Sequence, residues 1–220
     1  MVNELFRNIT KDFSIEFKNP STLVTSLSFA AIATISISLV SRSYQFSPFI
    51  QSILLWLIMF FAGMNSLLHI FIREVDHGNE LFLKLNSSAF SVYFSKLIFN
   101  CVLFLFLQII ITPLGIAFLQ FSIQSQFFFI AIIMCGGFAI SGTTTVLSAI
   151  VARSGGRGSL FTIISFPVLL PVLWVAISST EKALGQSGFW DSESLVFLLA
   201  FSGMIIALSF LLIRFIWLDE

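Results

Sequence analysis

Few residues of this sequence are equipped for chemistry, and most of those stand together. The polar stretch REVDHGNELFLKLNSSAFSVYFSK occupies positions 73–96, between two long apolar runs. Its charges crowd the start, with Arg73, Glu74 and Asp76 ahead of Gly78 and Glu80. Gly78 is free to take a positive φ and turn the chain there. Beyond it, Glu80 and Lys84 are four residues apart, as are Leu81 and Leu85, the spacing of a short amphipathic helix. Such a helix suits a groove on a cytoplasmic partner; the competing reading is a solvated connector. Histidine is a common metal ligand. No second ligand stands near His69 or His77 in the sequence, so packing or surface roles are favoured for both.

Other chemistries lack their residues. The chain has no GxxxxGK[ST]; positions 155–159 are glycine-rich but lack the lysine that reaches the phosphates. There is no HExxH or CxxC, and Ser141-Gly142 lacks the first glycine of a GxSxG elbow. Cys101 and Cys135 fall inside apolar runs, which argues against a disulfide framework. The apolar runs hold no central Asp, Glu, Lys or Arg, which disfavours proton- or sodium-coupled transport. The expectation is a protein without catalytic residues and without a metal or cofactor of its own.

The elements that must position these residues are membrane helices. Hydrophobic residues make up 57% of the 220 positions and charged residues 10%, with mean hydropathy +1.01. Soluble domains carry about 25% charged residues, so most of this chain must face lipid or other helices. Formal net charge is zero, which gives no support to a nucleic-acid partner. Six apolar runs, at about 21–40, 49–72, 97–119, 127–151, 159–179 and 195–217, are each long enough to cross a bilayer. Unbroken apolar runs exclude the alternation of a barrel strand, and only helices or closed barrels satisfy the backbone in lipid. The fold expected is all-α and polytopic, with an interfacial segment at 1–20 and a six-helix domain at 21–220.

With the N-terminus inside, cytoplasmic segments hold Arg7, Lys11, Lys18, Arg73, Lys84, Lys96, Arg153, Arg157 and Arg214, against Arg42 and Lys182 outside. That bias places both ends in the cytoplasm. Trp56, Trp174, Trp190 and Trp217 are candidate interfacial anchors where they fall near run ends. The first twenty residues mix both charge signs without a long apolar stretch, unlike a cleavable signal peptide. At about 100° per residue, Val2, Phe6, Ile9, Phe13 and Phe17 share one face of a helix, with Leu5 beside them. Glu4, Arg7, Lys11, Asp12 and Lys18 take other faces, and Pro20 ends the helix. It reads as an interfacial helix, either an anchor or a lever to a cytoplasmic motor.

Two further sets concern packing and gating. Gly137 and Gly142 allow close helix approach where lipid gives no hydrophobic drive. Pro167 and Pro171, one turn apart, each remove a backbone donor and favour a kinked or broken segment, expected near the outer half of the fifth crossing. Ordinary packing is the competing reading of both sets.

The stretch FIREVDHGNELFLKLNSSAFSVYFSKLIFN resembles the cytoplasmic segment after the second helix of ABC-2-type permeases, and within them CcmB, the membrane subunit of the haem exporter of cytochrome c maturation. Arg73, Glu74, Asp76, Gly78, Glu80, Leu81 and Lys96 carry the likeness; Asn86-Ser87-Ser88 stands where that family suggests a proline-containing turn. GGFAISGTTTVLSAIVARSGGRGSLFTIISFPVLLPVLW resembles the family's small-residue fourth helix, basic loop and proline-rich fifth helix. Gly136, Gly137, Ser141 and Gly142, then Arg153, Gly156, Arg157 and Gly158, then Pro167 and Pro171 carry that match. The resemblance implies a homodimer in a bacterial inner membrane, or an organellar one. It implies an ABC ATPase that supplies ATP hydrolysis and docks on Arg73, Glu74, Asp76, Gly78, Glu80, Leu81, Lys84 and Leu85. It also implies other haem-handling membrane partners, with haem as the substrate. The rival functions are export of another lipophile or polymer through the same fold, or a non-transporting scaffold.

In a cysteine-free background, single cysteines at Gln124 and Gly188 are expected to react with an impermeant thiol reagent applied to sealed cells, and one at Asn79 is not. Labelling of Asn79 from outside contradicts the orientation.

Overall fold

A computed structural model describes residues 2–40, 45–67, 87–153 and 158–218. Seven helices make up the regular structure among them: α1 (Val2–Lys18), α2 (Ser21–Val40), α3 (Pro48–Leu67), α4 (Ala89–Leu119), α5 (Gln126–Arg153), α6 (Gly158–Gly185) and α7 (Ser192–Leu218). The last six are long and apolar enough to cross a membrane. The protein is an all-helical, multi-pass membrane protein, and the six runs read from the sequence are its six crossings.

The largest boundary difference is at α4. Its apolar run begins at position 97, yet the helix begins at Ala89. Ser88 is the reason: in an extended conformation, its side chain accepts from the Ser91 amide at 3.4 Å, the geometry of an N-cap. Ser87-Ser88 thus starts a helix where the family pattern suggested a proline turn. The two added turns put Tyr93 and Lys96 in the interior rather than in a loop.

α5 is the central helix, packed on α3, α4, α6 and α7. α2 lies at the edge against α3 and α4; its fully buried residues are Ser26, Ala30 and Thr34, a stripe of small residues at four-residue spacing, with Leu23, Leu27, Ala33 and Ile37 packed partly buried beside them. Small side chains let helix backbones approach closely in lipid, where van der Waals packing replaces the hydrophobic effect. Trp56 corrects one expectation. It is fully buried in α3, not interfacial, and its indole N–H donates to Thr180 Oγ1 of α6 at 2.9 Å. Its ring fills the space beside Gly136 of α5, where a Cβ would collide with it. Trp174 and Trp190 are exposed, and the side chain of Trp217 lies outside the described residues.

At the end away from α1, the connections are tied together. Gln51 Nε2 donates to the carbonyls of Leu119 and Gln120 at 3.1 and 3.4 Å, satisfying the last turn of α4, with Gln120 left-handed at φ 55°. Ser125 Oγ donates to Gln186 O and accepts from the Phe189 amide at 2.7 and 2.8 Å. Asp191 caps α7, accepting from the amides of Glu193 and Ser194 and from Ser194 Oγ, and lies 3.6 Å from Lys182 Nζ. The Ser194 hydroxyl is the main cause holding the Asp191 carboxyl below its usual range, with the backbone amides and Lys182 assisting. Gln124 and Gly188 share this end, since the amides of Gln124 and Ser125 both donate to Ala183 O.

Gly136→Ala is expected to destabilise the folded protein by about 1–3 kcal/mol through overpacking on Trp56. Gly142→Ala, with nothing within 4 Å of the added Cβ, is expected to be neutral or slightly stabilising. Unfolding in mixed micelles by SDS titration measures both. Equal losses at the two sites contradict this packing.

Candidate partner interface and polar interior

Helix α1 lays one side along the start of α4. That side is polar. Glu4, Asn8, Asp12 and Glu16 recur every four residues, and the last three are buried. Glu4 Oε2 accepts from the Ser88 amide and hydroxyl at 3.3 and 3.4 Å, and Asn8 Nδ2 donates to Ser87 Oγ at 3.3 Å. The Ser88 amide is the main cause holding the Glu4 carboxyl below its ordinary value. Lys96 Nζ lies 3.3 and 3.4 Å from the two carboxylate oxygens of Asp12, with Lys96 2% and Asp12 7% exposed. One turn further on, Phe13 meets Phe99 edge-on at 5.0 Å.

Sequence reasoning found the apolar arc of α1 but missed this acidic one. The signal was present in the four-residue spacing of Glu4, Asn8, Asp12 and Glu16, and in a lysine beside an apolar run. By hydropathy alone Lys96 reads as a loop charge ahead of the apolar run at 97–119. An amine that deep in a helical bundle needs an anion close by, because an unpaired buried charge costs several kcal/mol.

The docking residues expected from the sequence, Arg73, Glu74, Asp76, Gly78, Glu80, Leu81, Lys84 and Leu85, lie outside the described residues, as do His69, His77, Gly156 and Arg157. What is described is where that segment re-enters the helical domain. Ser87 and Ser88 are held by α1, and Lys96 is held two turns further on.

Inside the bundle, polar contacts join the crossings at separate depths. Asn100 Nδ2 donates to Thr145 Oγ1 at 2.9 Å, and Cys101 Sγ lies 3.3 Å from Ser141 Oγ. Gln108 Nε2 donates to the Ile133 carbonyl at 2.7 Å, and the Gln108 amide fills the place where a Cβ on Gly137 would sit. The hydroxyls of Thr143, Thr144 and Thr145 donate to carbonyls one turn earlier in α5. Pro167 and Pro171 are both exposed on α6, which stays one continuous helix through them. They fall in its first half, nearer the α1 end than the outer half expected, because α6 begins at Gly158 and continues to Gly185. Among the described residues, no group of three or more His, Cys, Asp or Glu could hold a metal ion.

In order along the chain these parts are an amphipathic first helix, a charged segment after the second crossing, a small-residue fourth crossing and a proline-bearing fifth. A family model described as CcmB protein matches residues 3–214, from α1 into α7. The chain belongs to the CcmB family. No curated protein matches it closely enough to add a relative. In this CcmB chain the matched region takes in the α1–α4 joint, the charged segment at 73–96 and the polar interior alike.

Lys96→Ala is expected to cost up to about 3–5 kcal/mol, since it removes the nearest buried cation from the Asp12 carboxylate and leaves Lys11, at 3.9 Å and a third exposed, in its place. The double change Asp12→Ala with Lys96→Met leaves no unpaired charge and is expected to cost clearly less than Lys96→Ala alone. Unfolding of the three proteins in detergent provides the comparison. Additive losses contradict a directly coupled pair.

Proposed function

We propose that this chain is the permease subunit of an ATP-driven transporter acting in haem delivery for c-type cytochrome maturation. Membership of the CcmB family over nearly the whole chain is the observation that carries the reading. It supports the membrane subunit of a haem exporter; the ATP-driven partnership, the homodimer and the inner-membrane location with both ends in the cytoplasm belong to the proposal. The subunit does no covalent chemistry. Its sequence has no nucleotide-binding loop, so ATP is bound and hydrolysed by a separate ABC ATPase.

That ATPase docks on Arg73, Glu74, Asp76, Gly78, Glu80, Leu81, Lys84 and Leu85. The segment leads into Ser87 and Ser88, which bind α1, and then into α4, which binds α1 again through Lys96 and Asp12. A pull on the segment therefore reaches α1 and α4 together. From α4 it passes to α5 through Asn100–Thr145 and Gln108–Ile133. Gly137, Gly142, Pro167 and Pro171 are the positions at which α5 and α6 adjust. Haem is the cargo of the complex, and no haem-ligand constellation is evident in the sequence. That favours ATP-driven release of haem already loaded on a periplasmic chaperone, with other haem-handling membrane proteins as partners.

A deletion strain is expected to lose covalent haem on periplasmic c-type cytochromes while keeping b-type haem proteins, because haem synthesis lies upstream. A hydrolysis-dead ATPase partner is expected to reproduce the deletion. Haem-stained gels and reduced-minus-oxidised spectra provide the readout. Full c-type cytochrome levels in the deletion strain, with no paralogue present, remove the haem reading.

A further inference from the structure

Two crossings turn polar groups outward at depths where lipid offers them no partner. The first group is the Asn65 amide of α3. It is exposed and makes no hydrogen bond among the described residues. Leu67, Leu68, Ile70, Phe71 and Ile72 follow it before Arg73, so Asn65 stands inside an apolar run and not at its end. The second group belongs to α6. Pro167 and Pro171 have no N–H, so the carbonyls of Ile163 and Pro167 lose their helical donors. At about 100° per residue Ile163, Pro167, Leu170 and Trp174 fall within about 60° of one another, and all four are exposed. Trp174 is the middle residue of the span Ile163–Gly185 and 76% exposed, too deep for an interfacial anchor. Backbone groups without a partner are strongly unfavourable in hydrocarbon, and a neighbouring helix is one of the usual remedies.

Both groups open on one side of the molecule. Phe61, one turn before Asn65, is exposed and meets Phe60 edge-on at 5.2 Å; Phe60 in turn meets the exposed Phe166 of α6 at 5.8 Å. They also share a depth. α3 and α6 run antiparallel, with Trp56 bonded to Thr180, so the last turns of α3 lie beside the first half of α6, where Ile163 and Pro167 stand.

We propose that this face of α3 and α6 is where a second copy of the chain docks, the Asn65 amide of each copy donating to the proline-freed carbonyls of the other. The proposal rests on the homodimer of the proposed function and names its surface. Complementarity is what selects a second copy. A two-fold axis along the membrane normal keeps every depth and turns the face onto itself, so the donor on α3 meets the acceptors on α6 twice over. Side-chain amides hydrogen-bond across helices in membranes in this way, and the Trp174 ring adds apolar area to the same seam.

The test uses two differently tagged full-length copies in native membranes, each with Cys101 and Cys135 replaced by Ala. One carries Asn65→Cys and the other Ile163→Cys. A short bifunctional thiol reagent is expected to link the two tags, and to link neither to a copy carrying Ile109→Cys on the exposed side of α4. Asn65→Leu is expected to weaken self-association in bilayers about tenfold, two equivalent bonds being lost, and Asn65→Gln to retain it; single-molecule photobleaching over a dilution series gives both. Each variant is checked for an unchanged unfolding transition, and Asn65→Ala is read if Asn65→Leu fails it. A wild type that stays monomeric at every dilution overturns the homodimer and this proposal with it. A wild-type dimer without the Asn65–Ile163 link, or one that Asn65→Leu leaves as tight, overturns this proposal alone. Asn65→Cys that reacts with a water-soluble maleimide and forms no link marks a hydrated cavity, which also overturns it.

Discussion

A lysine buried in a membrane protein must be neutralised close at hand, and in this molecule the anion comes from another helix. Lys96, in the second turn of α4, is held by Asp12 of α1. Removing two charges from water costs several kcal/mol per ion, which their attraction offsets only when the geometry is good and further hydrogen bonds surround them. The rest of the α1–α4 contact has that character, with Asn8 on Ser87 and Glu4 on Ser88 continuing the polar seam. The seam fixes α1 at a set azimuth. It thereby decides which of its side chains meet α4 and which face away from the bundle.

The same logic repeats deeper in the bundle. Where lipid gives helices no hydrophobic reason to associate, small residues and interhelical hydrogen bonds do that work. Gly136 receives the Trp56 ring and Gly137 the Gln108 amide, so each pairs a missing side chain with a large one. Asn100, Gln108 and Trp56 each donate across to a neighbouring helix. α5 takes part at three depths, as its central position requires. Double-mutant cycles in membrane proteins put such bonds near 0.6 kcal/mol each, so they direct register more than they supply stability.

The fold was legible in the sequence because bilayer thickness imposes a length on each apolar run, and all six crossings lie where those runs lie. Helix ends were less legible. α4 begins eight residues ahead of its apolar run because a serine cap and an ion pair allow polar residues inside a helix, and hydropathy registers neither. The burial of Trp56 escaped for a related reason: its hydrogen-bond partner, Thr180, is 124 residues away. Of the candidate site, the charged segment after the second crossing was visible in its composition. Its attachment to α1 was not, because nothing in one segment alone says that Glu4, Asn8 and Asp12 will face Ser87, Ser88 and Lys96.

If an ATPase drives this chain as proposed, α1 and the first turns of α4 move as one body, because the Lys96–Asp12 pair and the Ser87 and Ser88 contacts join them. Spin labels at Ser14 and Ile98, both exposed, report on that joint by pulsed electron resonance in the complex with its ATPase. The account predicts one narrow distance distribution that is the same without nucleotide and with ATP trapped, and that broadens in Lys96→Ala. A distance that shifts between the two nucleotide states in the unaltered joint would contradict it.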